Sequence, residues 1–247
     1  MSKPIALQLY TVRESLAQDF TATINYVAAA GYTGVETAGF PGITPQAAAE
    51  LFHNLGLTIV SAHAPLPLGD KEAEVLDLMA HLGTKRLVSA WLPPETYATV
   101  DSIKQNADNF NAANKIAQAN GLTLFIHNHD FEFGTVNGRL AIDILREHLD
   151  PSIQFELDTY WIQVAGQNPA AVVAEFGKQA PLLHIKDGPA TRDGDMVAAG
   201  QGVVDIPAII AAGGDNTDWL IVELDRCGTD MLTAVTESHA YLKTILK

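Results

Sequence analysis

Short apolar runs rich in β-branched and aromatic residues alternate along this chain with longer stretches whose apolar positions recur at helical spacing. The run IALQLY, Ile5 to Tyr10, reads as a first strand; Asp19 then reads as an N-cap for a helix through Ala30 that stops at Gly31, after which a second strand resumes at once. The same grammar returns in TPQAAAELFHNLG, with Thr44 as cap, Pro45 at the first helical position and Gly56 as stop, before the strand LTIVSAH. Helices are predicted over Asp70 to Leu82 and Asp101 to Asn120, ended by Gly83 and Gly121 and followed by TKRLVSAW and LTLFIHNHDFEF. In the second half, Leu140 to Leu149, Pro169 to Lys178, Asp205 to Ala212 and Met231 to Leu246 read as helices. Ile153 to Asp158, the run from Leu182, and Trp219 to Leu224 read as strands. Eight strands thus alternate with eight helices. Strict alternation implies parallel strands with right-handed crossovers, and eight such units close into a (β/α)8 TIM barrel. An open doubly wound sheet is the competing α/β fold, but it carries a glycine-rich phosphate turn after its first strand, and LYTVRES has no glycine. No linker interrupts the pattern, so residues 1–247 are expected to form a single barrel domain.

Composition narrows the partners. Hydrophobic residues are 47% of the chain and charged ones 18%, and no apolar run approaches the roughly 18 residues of a membrane span, so a soluble protein with no membrane partner is expected. MSKPIALQLY runs straight into a strand without the features of a secretory leader, which makes a cytoplasmic location the expectation. The net charge of −14 argues against nucleic acid, whose binding relies on Lys and Arg clusters, and favours a small ligand. The lone Cys227 cannot form an internal disulfide and reads as an inert thiol after the last strand.

The chemistry gathers at strand ends. In LTLFIHNHDFEF, Phe125, His127 and His129 share one face, and His127, Asn128, His129, Asp130 and Glu132 crowd the C-terminal end. Three later strands end likewise: IQFELD on Asp158, LLHIKD on His184, Lys186 and Asp187, and WLIVELD on Glu223 and Asp225. A (β/α)8 barrel builds its active site at these ends, so the four clusters are expected to share one site. Asp158, His184 and Glu223 offer oxygen and nitrogen ligands without a thiolate, a set suited to Mn, Co, Fe, Zn or Mg.

Together, ALQLYTVRES, HNHDFEF, FELDTYWIQVAG, LLHIKDG, GQGVVDIPAII and IVELD resemble the xylose isomerase-like (sugar phosphate isomerase/epimerase) TIM barrels along the whole chain. The resemblance is nearest to the branch with a HNHDFEF-type strand end, related to inosose dehydratase-like members. It implies one divalent metal ion, Mn foremost, held by a Glu, an Asp, a His and a second Glu from successive strand ends. The last three map onto Asp158, His184 and Glu223, whereas the first position carries His127. Trp161 stands where some ketose epimerases have a substrate-binding His. The two-Glu proton shuttle of those epimerases therefore does not transfer, and a dehydratase or lyase reading gains ground.

The expected metal ligands are thus His127, Asp158, His184 and Glu223, with His129, Glu132 and Lys186 as acids and bases. Gln8 and His63 are expected to contact substrate hydroxyls, and Trp91 and Trp161 to stack on the C–H face of a sugar ring. Glu156 should face the barrel interior with Lys186 as a structural partner; Arg13 reads as a surface ion pair, Asp225 as a solvated loop acid, and Glu36 as a rim hydrogen-bonding group. The expected function is metal-dependent isomerisation, epimerisation or elimination on a sugar, cyclitol or keto-glycoside, by proton abstraction beside a polarised carbonyl. A non-catalytic sugar-binding barrel and an endonuclease IV-like phosphodiesterase are the alternatives, the latter disfavoured by the acidic charge. Assembly into a homo-oligomer is compatible with the sequence.

Overall fold

The structure is a computed structural model and describes residues 3–246. Its strands are β1 (Ile5–Gln8), β2 (Gly34–Thr37), β3 (Thr58–Ala64), β4 (Arg86–Ser89), β5 (Thr123–His127), β6 (Thr135–Val136), β7 (Arg139–Leu140), β8 (Gln154–Asp158), β9 (Leu182–Ile185) and β10 (Trp219–Val222). All but β6 and β7 run parallel and close a barrel in the order β1-β10-β9-β8-β5-β4-β3-β2. The helices are α1 (Arg13–Gln18), α2 (Phe20–Ala29), α3 (Pro45–Asn54), α4 (Glu72–Leu82), α5 (Val100–Ala119), α6 (Ala141–Arg146), α7 (Thr159–Val164), α8 (Pro169–Phe176), α9 (Ile206–Gly213) and α10 (Met231–Ile245). None of the described helices is long and apolar enough to cross a membrane.

Local chemistry explains the boundaries. Asp19, Thr44 and Asp205 cap their helices through the backbone N–H groups of Ala22, Ala47 and Ala208, as their sequence context predicts. The β6–β7 hairpin departs from the simple alternation: Asn137 and Gly138 both adopt positive φ and turn the chain, which takes Leu140 out of the predicted helix and leaves α6 shorter. α1 and α7 are also additional, and α7 starts where the Asp158 side chain accepts the N–H groups of Tyr160 and Trp161.

Two apolar regions flank the barrel wall. The larger, between strands and helices, includes Phe52, Phe110 and Phe155. The smaller fills the lower barrel with Ala6, Val60, Val88, Phe125, Leu182 and Ile221, and Trp219 packs against it. Gly34 is required there, because a Cβ would stand 2.7 Å from both the Trp219 ring and a Val60 methyl. Above this layer β3 carries a bulge: Ile59 pairs with Val35, but Ser61 pairs with Glu36. The bulge reverses the phase of the strand, so Val60 belongs to the barrel core while Ala62 and Ala64 face the helices, and Ser61 and His63 turn inward to polar partners.

Candidate active site

The ends of β5, β8, β9 and β10 bring together His127, Asp158, His184 and Glu223, each offering one ligand atom within 4.8 Å of the others, and all four are buried. Asp158 is held from two sides. Its Oδ1 caps α7, and its backbone N–H donates to Asn128 Oδ1 at 2.9 Å, which clips β8 to the end of β5 and leaves Oδ2 facing the centre. His184 Nδ1 is 2.8 Å from Glu223 Oε2, and His127 Nε2 is 3.9 Å from Asp158 Oδ2.

Lys186 corrects its expected pairing. Its Nζ is 2.9 Å from Asp158 Oδ2 and 2.7 Å from both Glu223 Oε2 and Asp225 Oδ2, and it does not pair with Glu156. The register pairs Asp158 with His184 and Glu156 with Leu182, so Lys186, two residues above His184, meets the upper carboxylates only. Asp225 is accordingly an ion-pair partner, not a solvated loop acid. Among the described residues Arg13 likewise forms no surface ion pair: it donates to the carbonyls of Tyr10 and Asp225 and lies 4.1 Å over the Tyr10 ring.

Beneath these residues lies a second polar layer. Glu36, fully buried, accepts from Gln8 Nε2 at 2.6 Å and Ser61 Oγ at 2.5 Å, and its Oε1 is 2.7 Å from His184 Nε2. It does far more than rim hydrogen bonding; its alternation with the interior Gly34 is the signal that marks it. Gln8 is not placed for substrate, because its amide nitrogen is committed to Glu36 and its oxygen to the Tyr10 N–H. His63 Nε2 lies between Glu156 Oε1 at 2.8 Å and Glu36 Oε1 at 3.1 Å, so Glu156 faces inward and finds imidazoles as partners.

The charges follow the geometry. Burial alone would raise the Glu36 carboxyl, but His63 and His184 outweigh it and hold it well below the usual range. Burial likewise opposes a charged His63, yet Glu36 and Glu156 push it up to about 10. His127 is lowered well below the usual imidazole range by burial and by His184 and His129. His129 falls to about 4 through burial and the nearby Lys186 ammonium. Burial also raises Glu132 to about 8. Glu132 sits in the turn after β5, where its Oε2 accepts the His129 N–H at 2.8 Å, so the loop folds back onto its own backbone instead of sending this carboxylate to the cluster of His127, Asp158, His184 and Glu223.

A cavity of about 530 Å³ opens above the cluster, walled by His63, His127, His129, Glu223 and Asp225, with the exposed rings of Tyr10 and Trp91 beside them. Trp91 therefore stands where a sugar face could stack. Trp161 does not: it is buried on α7, its ring 6.3 Å from His129.

The donor set fits a divalent ion. Asp158 Oδ2 is buried, 2.9 Å from the Lys186 ammonium and 3.9 Å from both His127 Nε2 and His184 Nδ1. Two carboxylates and two imidazoles around such an oxygen suit Zn, Mn, Co or Fe. A second set, His63, His127, Glu156 and His184, also converges within 4.8 Å and shares both imidazoles with the first.

Among solved structures, a sugar phosphate isomerase/epimerase from Parabacteroides distasonis ATCC 8503 is 26% identical, with a TM-score of 0.84 over 100% of this chain and 96% of its own. Another from the same organism is 25% identical, with a TM-score of 0.87 over 99% of this chain and 100% of its own. The IolI protein with a bound zinc atom shares the fold at 17% identity and a TM-score of 0.77, over 100% of this chain and 98% of its own. No match is found among curated proteins. A sequence profile described as xylose isomerase-like TIM barrel spans residues 24–245, which takes in every barrel strand after the first and all four clustered residues, and the chain belongs to that family.

Proposed function

We propose that this protein is a divalent-metal-dependent enzyme that removes a proton beside a carbonyl of a sugar, cyclitol or keto-glycoside. The observation that carries the reading is the convergence of His127, Asp158, His184 and Glu223 beside a ring-sized cavity. These residues would hold the ion, with manganese foremost and cobalt, magnesium, zinc or iron as alternatives; the zinc in IolI supports a metal in this fold. When bound, the ion supplies Lewis-acid polarisation of the carbonyl, which acidifies the adjacent C–H. His129, neutral at pH 7 and walling the cavity, is the base. Lys186 holds Asp158, Glu223 and Asp225 at fixed separations and is the acid for a departing oxygen. Glu132 serves the reaction through the His129 backbone. Trp91 and His63 receive the ring and its hydroxyls.

His127 in place of a strand-end Glu favours elimination over epimerisation, since elimination needs one base and one acid, not two matched carboxylates. Elemental analysis should find one divalent ion per chain in the wild type, lost in Asp158→Asn and Glu223→Gln. Incubation with a panel of keto-sugars and keto-glycosides in D2O should wash deuterium into the position beside the carbonyl. A wild type that stays metal-free after loading with manganese and with zinc would sink the proposal.

A further inference from the structure

Each imidazole in the cluster lies between two layers of carboxylate. His184 turns Nδ1 outward, 2.8 Å from Glu223 Oε2 and 3.9 Å from Asp158 Oδ2, and Nε2 inward, where Glu36 Oε1 at 2.7 Å is the nearer acceptor and Glu156 Oε1 at 3.0 Å the farther. A neutral imidazole has one N–H and one lone pair, so a ring that gives its lone pair to a cation must place its proton on the other nitrogen. The acceptor at that other nitrogen then chooses the tautomer. We infer that Glu36 is a positioning residue that keeps the proton on His184 Nε2 and thereby presents Nδ1 to the ion. This inference rests on the metal reading given above.

Glu36 is built for such a task because it cannot turn away. Gln8 donates to its Oε1 and Ser61 to its Oε2, and the Gln8 oxygen is itself held by the Tyr10 N–H. Ser61 reaches Glu36 only because the bulge in β3 sets the two residues opposite each other. His63, between Glu36 and Glu156, offsets the repulsion of two neighbouring carboxylates. The second convergent set would claim the inward nitrogen of His184 instead. Both sets cannot be filled together without stripping both protons from the shared imidazoles. Glu223 of the outer set lines the cavity, whereas Glu156 of the inner set is fully buried beneath it, and this assigns the ion to the outer set.

Long-range proton–nitrogen correlation spectra of the zinc-loaded protein read the tautomer directly, with His184 expected to carry its proton on Nε2 and to bind through Nδ1. Zinc affinity, measured by competition with a chelating dye, is expected to fall about 10- to 100-fold in Glu36→Gln. A smaller fall is expected in Ser61→Ala, which loosens Glu36 without touching an imidazole and serves if Glu36→Gln does not fold. Ligation through Nε2, or zinc retained in Asp158→Asn and lost in Glu156→Gln, would put the ion in the inner set and overturn the inference while leaving a metal enzyme. Wild-type zinc affinity in both Glu36→Gln and Ser61→Ala would likewise reduce Glu36 to a structural role. A wild type that binds no zinc or manganese overturns the functional reading and this inference with it.

Discussion

Glu132 and the two histidines before it show how burial separates groups that look equivalent in HNHDFEF. Glu132 keeps a proton up to about pH 8 because it is buried, whereas in the unfolded chain it releases that proton near 4.5. Between these values the native state binds the extra proton, so stability must fall as pH rises through the window, by up to about 1.4 kcal/mol per pH unit. Glu132→Gln keeps an acceptor for the His129 N–H and removes the titration. Chemical denaturation of wild type and variant between pH 5 and pH 8 should show a flatter slope in the variant; equal slopes would mean that Glu132 is ionised in the fold. The histidines divide differently. Both wall the cavity, but His127 is enclosed by Glu156, Asp158 and His184, while His129 stacks on Phe131. His127→Gln is therefore expected to lose metal, and His129→Gln to keep metal and lose at least 100-fold in turnover, within the range of general base catalysis. Normal metal content and activity in both variants would make these side chains structural.

The long connection after β9 is secured by one side chain. Asp187, counted in the sequence among the polar strand ends, is buried and accepts four backbone N–H groups, from Gly188, Gly200, Gly202 and Val204. Gly202 admits the close approach, because a Cβ there would collide with the Asp187 carboxylate. Asp187→Ala would leave these donors unpaired and is expected to cost about 3 kcal/mol or more. Thermal melts and limited proteolysis between residues 188 and 204 check this; a wild-type melting temperature and cleavage pattern would show that the loop holds itself. The β6–β7 hairpin illustrates a readable element that alternation masks, since Asn137-Gly138 is a strong hairpin signal lying inside an apolar-polar pattern that also suits a helix.

Closure of the barrel couples every strand to two neighbours, with β1 paired to both β2 and β10. A fragment ending near Pro151 would lack β8, β9 and β10 and expose the edges of β1 and β5. The whole chain is therefore expected to unfold in one transition by fluorescence and circular dichroism alike, and the fragment to give no dispersed amide spectrum. A stably folded fragment would show two separable units.

The barrel was legible because its signals are local: caps, glycine stops and apolar runs specify strand and helix in turn, and eight turns of that alternation close. The convergence of Asp158, His184 and Glu223 was legible for the same reason, since a polar residue ending a barrel strand reaches the C-terminal rim whatever its neighbours are. The partners were not. Glu36 meets His184 across 148 residues of chain, and only closure and the bulge in β3 bring Glu36, Ser61 and His63 to one layer. Lys186 meets Asp158, Glu223 and Asp225 instead of Glu156 because strand register sets its height, and the turn after β5 directs Glu132 to a backbone N–H. Strand identity is written in neighbouring residues, whereas depth and facing in a closed barrel depend on the stagger of all eight strands at once, which no single stretch of sequence encodes.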